Sequence, residues 1–226
     1  MLTAVLFDLD ETLLDRTTSL VAFLTDQHAR FGGELGCSSF PAWRDRFLAL
    51  DARGHVHKSI VYPSILREFD GNLSLADELL ADYLAGCPSF ALPFDGMVNT
   101  LHDLRSRGLR LGIITNGETQ FQSRHVGALG LEQLVDVVLV SQSEGLRKPD
   151  AVLFHRAAER LNVQPAECLF VGDNPVADIL GAHAAGMKTA WFRSGLDWPE
   201  HLPPSPGPAI NKLSEVLAVI ARTNVG

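Results

Sequence analysis

Cysteine is scarce in this chain: of 226 residues only Cys37, Cys87 and Cys168 carry thiols, widely scattered and with no Cys-x-x-Cys pair. That argues against a disulfide framework and a thiolate zinc site, and predicts buried, reduced thiols. Basic runs are also absent, with 19 Lys and Arg against 27 Asp and Glu, a net charge of −8. The chain therefore offers no electrostatic footprint for a nucleic-acid polymer or an anionic membrane surface. No apolar run has spanning length, and the N-terminus moves into "MLTAVLFDLD" without a basic leader or cleavage site, so a cytoplasmic protein is expected. No Gly-x-Gly-x-x-Gly follows the first apolar run, which argues against a dinucleotide site. Internal repeats and low-complexity tracts are missing too.

What is present is apolar material in short, separated runs, 46% of the chain being hydrophobic, enough for a sizeable core or a core with an insert. Residues 4–7, 109–114, 135–140, 169–171 and 189–192 read as strands buried on both faces. Between the later ones, residues 97–107, 119–129, 151–161 and 176–185 carry apolar positions at helical spacing with a Gly nearby as a stop. Alternating strand and helix predict an α/β fold, a doubly wound, Rossmann-like parallel sheet of five strands. "NKLSEVLAVIARTNV" adds a terminal helix, and "LPPSPGP" before it reads as a stiff extended connection.

About a hundred residues separate the first strand from the second, far more than one crossover helix needs. The intervening sequence is helical in pattern and lacks strand-like alternation. The expected division is a core of residues 1–16 and 92–226 with a helical insert at 17–91, the second junction falling at "GCPSFALPFDG".

"AVLFDLD" poses a physical question, because Asp8 and Asp10 stand at the end of a buried hydrophobic run. Like charges so placed demand a neutralising proton or a cation. Three further stretches leave strands in the same way: "LGIITNG" at Thr115, Asn116 and Gly117, "VSQSEGLRKPD" at Lys148, and "CLFVGDNPVADI" at Asp173, Asn174 and, further on, Asp178. Ligands in open parallel sheets collect beyond the carboxyl ends of the strands. All four stretches therefore converge, so that Asp8, Asp10 and Asp173 can share a divalent cation while Lys148 supplies another positive charge.

"DLDET", "TNG", "KPD" and "GDNPVAD", in this order and each after an apolar strand, resemble the four motifs of the haloacid dehalogenase superfamily. The helical insert between the first two resembles the subgroup with an α-helical cap. The resemblance implies a phosphatase in which Asp8 attacks phosphorus to form an aspartyl-phosphate and Asp10 protonates the leaving alkoxide and later activates water. It implies magnesium, held by Asp8, the Asp10 backbone carbonyl and Asp173, with Asp178 and Asn174 supporting the ion or the lysine from behind. Thr115, Lys148 and the backbone N–H groups of Leu9, Asn116 and Gly117 would bind the phosphoryl oxygens.

Haloacid dehalogenases attack carbon and need neither magnesium nor an acid two residues after the nucleophile, so Asp10 favours phosphate-ester chemistry. The substrate is expected to be a small phosphomonoester of nucleotide or sugar phosphate type, and the protein a monomer or homodimer. A phosphomutase uses the same core residues and is the enzymatic alternative. A phospho-accepting receiver is the non-enzymatic one, disfavoured because its acceptor Asp lies on a later strand than its acidic pair. Cap residues would read the leaving group: Arg53, His55, His57 and Lys58 are the polar candidates, whereas Trp43, Phe47 and Tyr62 are expected to pack in a core.

Overall fold

The computed structural model describes residues 1–225, and the chain divides into two compact units, Arg16–Leu92 and Met1–Asp15 with the chain from Pro93 onward. The second of these is built on a parallel sheet of six strands: β1 (Ala4–Phe7), β2 (Arg110–Thr115), β3 (Val137–Val140), β4 (Cys168–Gly172), β5 (Lys188–Phe192) and β6 (Ala209–Ile210), in the spatial order β3-β2-β1-β4-β5-β6. β1 is fully buried along its length, as its unbroken apolar run requires. It pairs with β2 on one side and β4 on the other, Phe7 lying opposite both Ile113 and Val171. The residues following β1, β2 and β4 therefore emerge at the same level of the sheet.

The sixth strand is the difference from the sequence expectation of five. Only two residues long, it follows the proline-rich stretch and pairs outside β5, where Trp191 N–H donates to the Pro208 carbonyl (2.9 Å) and Arg193 N–H to that of Ile210 (3.0 Å). Two residues are too few to show a periodicity.

The helical unit contains α1 (Arg16–Phe31), α2 (Phe40–Asp51), α3 (Lys58–Glu68) and α4 (Ala76–Gly86). Around the sheet lie α5 (Met97–Ser106), α6 (Thr119–Ala128), α7 (Ser141–Glu144), α8 (Ala151–Arg160), α9 (Gly181–Ala184) and α10 (Val216–Val225). α8 illustrates why these segments are helical. Asp150 caps it by accepting from Val152 N–H at 2.9 Å, and Leu153, Phe154, Ala157 and Ala158 form its buried face, with Phe154 edge-on to Phe170 of β4 at 5.1 Å. The helix expected at 176–185 begins instead as a π-helical turn, Pro175–Leu180, and continues as α9. Among the described residues no helix is long and apolar enough to cross a membrane.

In the helical unit Trp43, Phe47 and Tyr62 are fully buried. Phe47 and Tyr62 meet edge to face at 5.3 Å, and the Tyr62 hydroxyl donates to Gln27 Oε1 at 2.9 Å, so these rings are core. Lys58 is buried as well. Its ammonium pairs with Asp51, which also accepts hydrogen bonds from the two terminal guanidinium nitrogens of Arg16 at 2.9 and 3.0 Å and from the Gly54 N–H at 2.9 Å. Burial works to raise Asp51, but Arg16 and Lys58 outweigh it and hold the carboxyl below its usual value. His57 caps α3, its ring accepting from Ser59 N–H at 3.2 Å, while Arg53 and His55 are exposed.

Removing a single partner from a buried pair leaves the others' charge uncompensated. Asp51→Ala should therefore lower the stability of the helical unit by about 3–5 kcal/mol, read from the urea midpoint of its far-ultraviolet circular dichroism. An unchanged midpoint would show that this carboxylate holds nothing together.

Candidate active site

Asp8 is the first residue beyond β1, anchored there because its own N–H continues the sheet by donating to the Val171 carbonyl at 2.9 Å. The residue is buried, 7% exposed. Oδ1 accepts the Leu9 N–H at 2.7 Å and the Lys148 ammonium at 2.6 Å. The same ammonium lies 2.7 Å from Asp178 Oδ1, and Asp178 is completely buried. One lysine thus sits between two carboxylates. Its backbone is pinned by Asn116, which accepts the Lys148 N–H at 2.9 Å and donates to the Lys148 carbonyl at 3.0 Å. This reciprocal pair ties the loop after β2 to the segment that carries the lysine.

Behind them, Asn174 caps the π-helical turn by accepting from Val176 and Ala177 N–H at 3.0 and 2.9 Å, and its own N–H donates to Asp178 Oδ2 at 2.9 Å. The turn therefore delivers Asp178 against the end of β4. It can do so because position 172 is glycine: a Cβ there would fall 2.5 Å from Asp178 Oδ2. Asp173, half-buried, has its carbonyl held by the Trp191 indole N–H at 2.8 Å.

The electrostatics follow from these positions. Burial pushes Asp8 well above the usual carboxylate range; Asp178, Asp173 and Asp10 push the same way, against Lys148. For Lys148, burial favours the neutral amine, but Asp178 and Asp8 prevail and raise its pKa. Asp8 thus feels three other carboxylates and one ammonium. Carboxylate oxygens of Asp8, Asp173 and Asp178 can lie within 4.8 Å of one another. Together they form a hard-oxygen cluster that suits a divalent ion such as magnesium.

The sequence pattern of the haloacid dehalogenase-like hydrolases matches residues 2–186. The chain belongs to that family. N-acetylmuramic acid 6-phosphate phosphatase of Pseudomonas putida is 31% identical over 203 residues, 89% of this chain and 87% of that protein. Glyceraldehyde 3-phosphate phosphatase of Pyrococcus furiosus is 35% identical over 135 residues, 57% of this chain, so that the match spans about half (55%) of that relative's length. Among solved structures, a 2-haloacid dehalogenase from Pseudomonas syringae superposes with a TM-score of 0.65 at 30% identity, covering 99% of this chain and 100% of that one.

In this hydrolase the residues singled out from the sequence fall into two groups around the ends of β1, β2 and β4. Asp8, Lys148, Asp178, Asn174, Asp173 and Asn116 are linked as described. Thr115 ends β2, fully buried, and Asp10 is half-buried beyond β1. The Gly117 N–H donates to Ser141 Oγ at 2.9 Å and the Leu9 N–H to Asp8, so both already have a partner.

Gln122 escaped the sequence reading. Its Nε2 donates to Asp10 Oδ2 at 2.8 Å and to Thr115 Oγ1 at 2.6 Å. A polar residue on the buried face of α6, five residues after a Gly whose Cβ would strike it at 2.7 Å, was the available signal.

Gly172→Ala tests the packing that seats Asp178. Overfilling this site should lower stability by about 1–3 kcal/mol, measured by denaturant titration. An unaltered midpoint would mean that Asp178 moves aside without cost.

Proposed function

We propose that this hydrolase cleaves small phosphomonoesters of nucleotide or sugar phosphate type, through an aspartyl-phosphate on Asp8 and with magnesium. The observation that carries the reading is the pairing of two different carboxyls on one loop. Asp8 is buried against Lys148, and Asp10, two residues on, is held beside Thr115. Phosphatase relatives of sugar-like substrates support the substrate class.

Asp8 Oδ1 is occupied by Leu9 and Lys148, so Oδ2 is the oxygen proposed to bond to phosphorus as the ester P–O bond breaks. Asp10, protonated, gives its proton to the departing oxygen, which leaves as an alcohol. Water then gives a proton to Asp10, its oxygen bonds to phosphorus, and the bond between phosphorus and Asp8 breaks to release inorganic phosphate. Lys148 and the Thr115 hydroxyl offset and orient phosphoryl charge. Magnesium, held by Asp8 and Asp173 and by the Asp10 carbonyl, would supply further positive charge to the phosphoryl oxygens.

The likeness to a 2-haloacid dehalogenase favours one competing reading, attack on carbon with loss of halide. A halide leaves without a proton, so that chemistry has no use for Asp10. Release of chloride from a short 2-chloro acid, with none of phosphate from an ester, would decide for it.

Hydrolysis of a simple aryl phosphate should require a divalent ion and stop on chelation; full turnover after thorough metal removal would contradict the acidic cluster's proposed role.

The two carboxyls should differ on substitution. Asp8→Asn should abolish turnover of every ester. Asp10→Asn should lose about 10²–10⁴-fold on an alkyl phosphate but, on an ester with a good leaving group, release one equivalent in a burst and accumulate phosphoenzyme. Rapid quench and intact mass read both; a burst from Asp8→Asn, or phosphate on Asp10, would reverse the roles.

A further inference from the structure

Gln122 is 3% exposed and spends one nitrogen on two partners, Asp10 Oδ2 and Thr115 Oγ1. The nitrogen of the amide, not its oxygen, faces both partners. A primary amide nitrogen carries two hydrogens and accepts none. Both are used here, one on each partner. Asp10 Oδ2 and Thr115 Oγ1 are therefore acceptors toward Gln122, with a consequence for each.

A proton on Asp10 Oδ2 would confront an amide N–H, two donors face to face. Any proton that Asp10 carries therefore belongs on Oδ1. Thr115 Oγ1, already accepting, has its own hydrogen left to turn away from Gln122. We infer that Gln122 is a positioning residue: one buried amide selects the oxygen from which Asp10 gives and takes its proton and the direction in which Thr115 donates. This rests on the phosphomonoesterase reading and adds a residue to it. The arrangement also gives Gly117 a purpose, since a side chain there would displace the Gln122 stem at 2.7 Å.

The test is a series of phosphate esters with leaving groups from poor alkoxides to activated phenols, run with wild type, Gln122→Met and Asp10→Asn. Methionine keeps the length of the side chain and removes both donors. Gln122→Met should slow the poor leaving groups by about 10²-fold and the activated ones by less than about threefold, because only the former need an aligned acid. It should also raise KM on every ester through the misdirected Thr115 hydroxyl. A uniform loss in kcat along the series would indicate a merely structural residue and overturn the inference. Wild-type leaving-group dependence in Gln122→Met, alongside a steepened dependence in Asp10→Asn, would overturn it while leaving the phosphatase reading intact. Absence of ester hydrolysis by wild type, or unaltered dependence in Asp10→Asn, would remove that reading and this inference with it. Should Gln122→Met fail to fold, side-chain amide exchange in ¹⁵N-labelled wild type is decisive. Two protected Gln122 amide protons that lose protection in Asp10→Ala are expected, and exchange at the solvent rate in wild type would overturn the inference.

Discussion

The candidate site depends on one buried ammonium. Lys148 lies between Asp8 and Asp178 with almost no access to water, where the attraction between unlike charges is several times stronger than at the surface. Such an arrangement gives little net stability, because all three groups lose their hydration. Its value lies in position. The ammonium seats the Asp8 carboxyl in a place where burial and three other acids push its pKa up, and it is the one neighbour that opposes them. The proposed nucleophile thus stands beside the same group that would meet the phosphoryl charge.

Everything around Lys148 serves to place it. Its ammonium is anchored through Asp178 to the π-helical turn after β4, and its backbone through Asn116 to the loop after β2. β1 lies between those two strands, so Asp8 emerges where both supports end. The parallel sheet makes this economical: equal register brings three loops to one level, and each needs only a few residues to complete the constellation.

The helical unit uses the same physics differently. Asp51 joins Arg16 and Lys58 where the chain makes a turn with Ala52 and Arg53 at positive φ, an unfavourable conformation for residues with a Cβ. Here two cations hold one carboxylate. The strained turn is retained because Asp51 accepts the Gly54 N–H across it. Lys58, one of four polar side chains considered for recognising substrate, is accordingly part of the frame, while Arg53 and His55 stay exposed.

Local sequence signals suffice for the β–α alternation, the parallel sheet, the helical character of the insert and the stretches that carry Asp8, Thr115, Lys148 and Asp173. These are local signals: an apolar run long enough to be a strand, ended by a polar residue with no reason to be there unless it acts. The two-residue β6 was less legible, because very short strands carry little periodicity. Which polar groups meet depends on how the elements pack. Lys58 and Arg53 read alike as basic residues near a turn, yet one is buried against Asp51 and the other faces water. Gln122 and Asp10 are 112 positions apart, and nothing in a helical glutamine announces the carboxylate it will touch. A hydrogen bond depends on two surfaces brought together to within a few tenths of an ångström, and that distance is set by the packing of α6 beside the ends of β1 and β2.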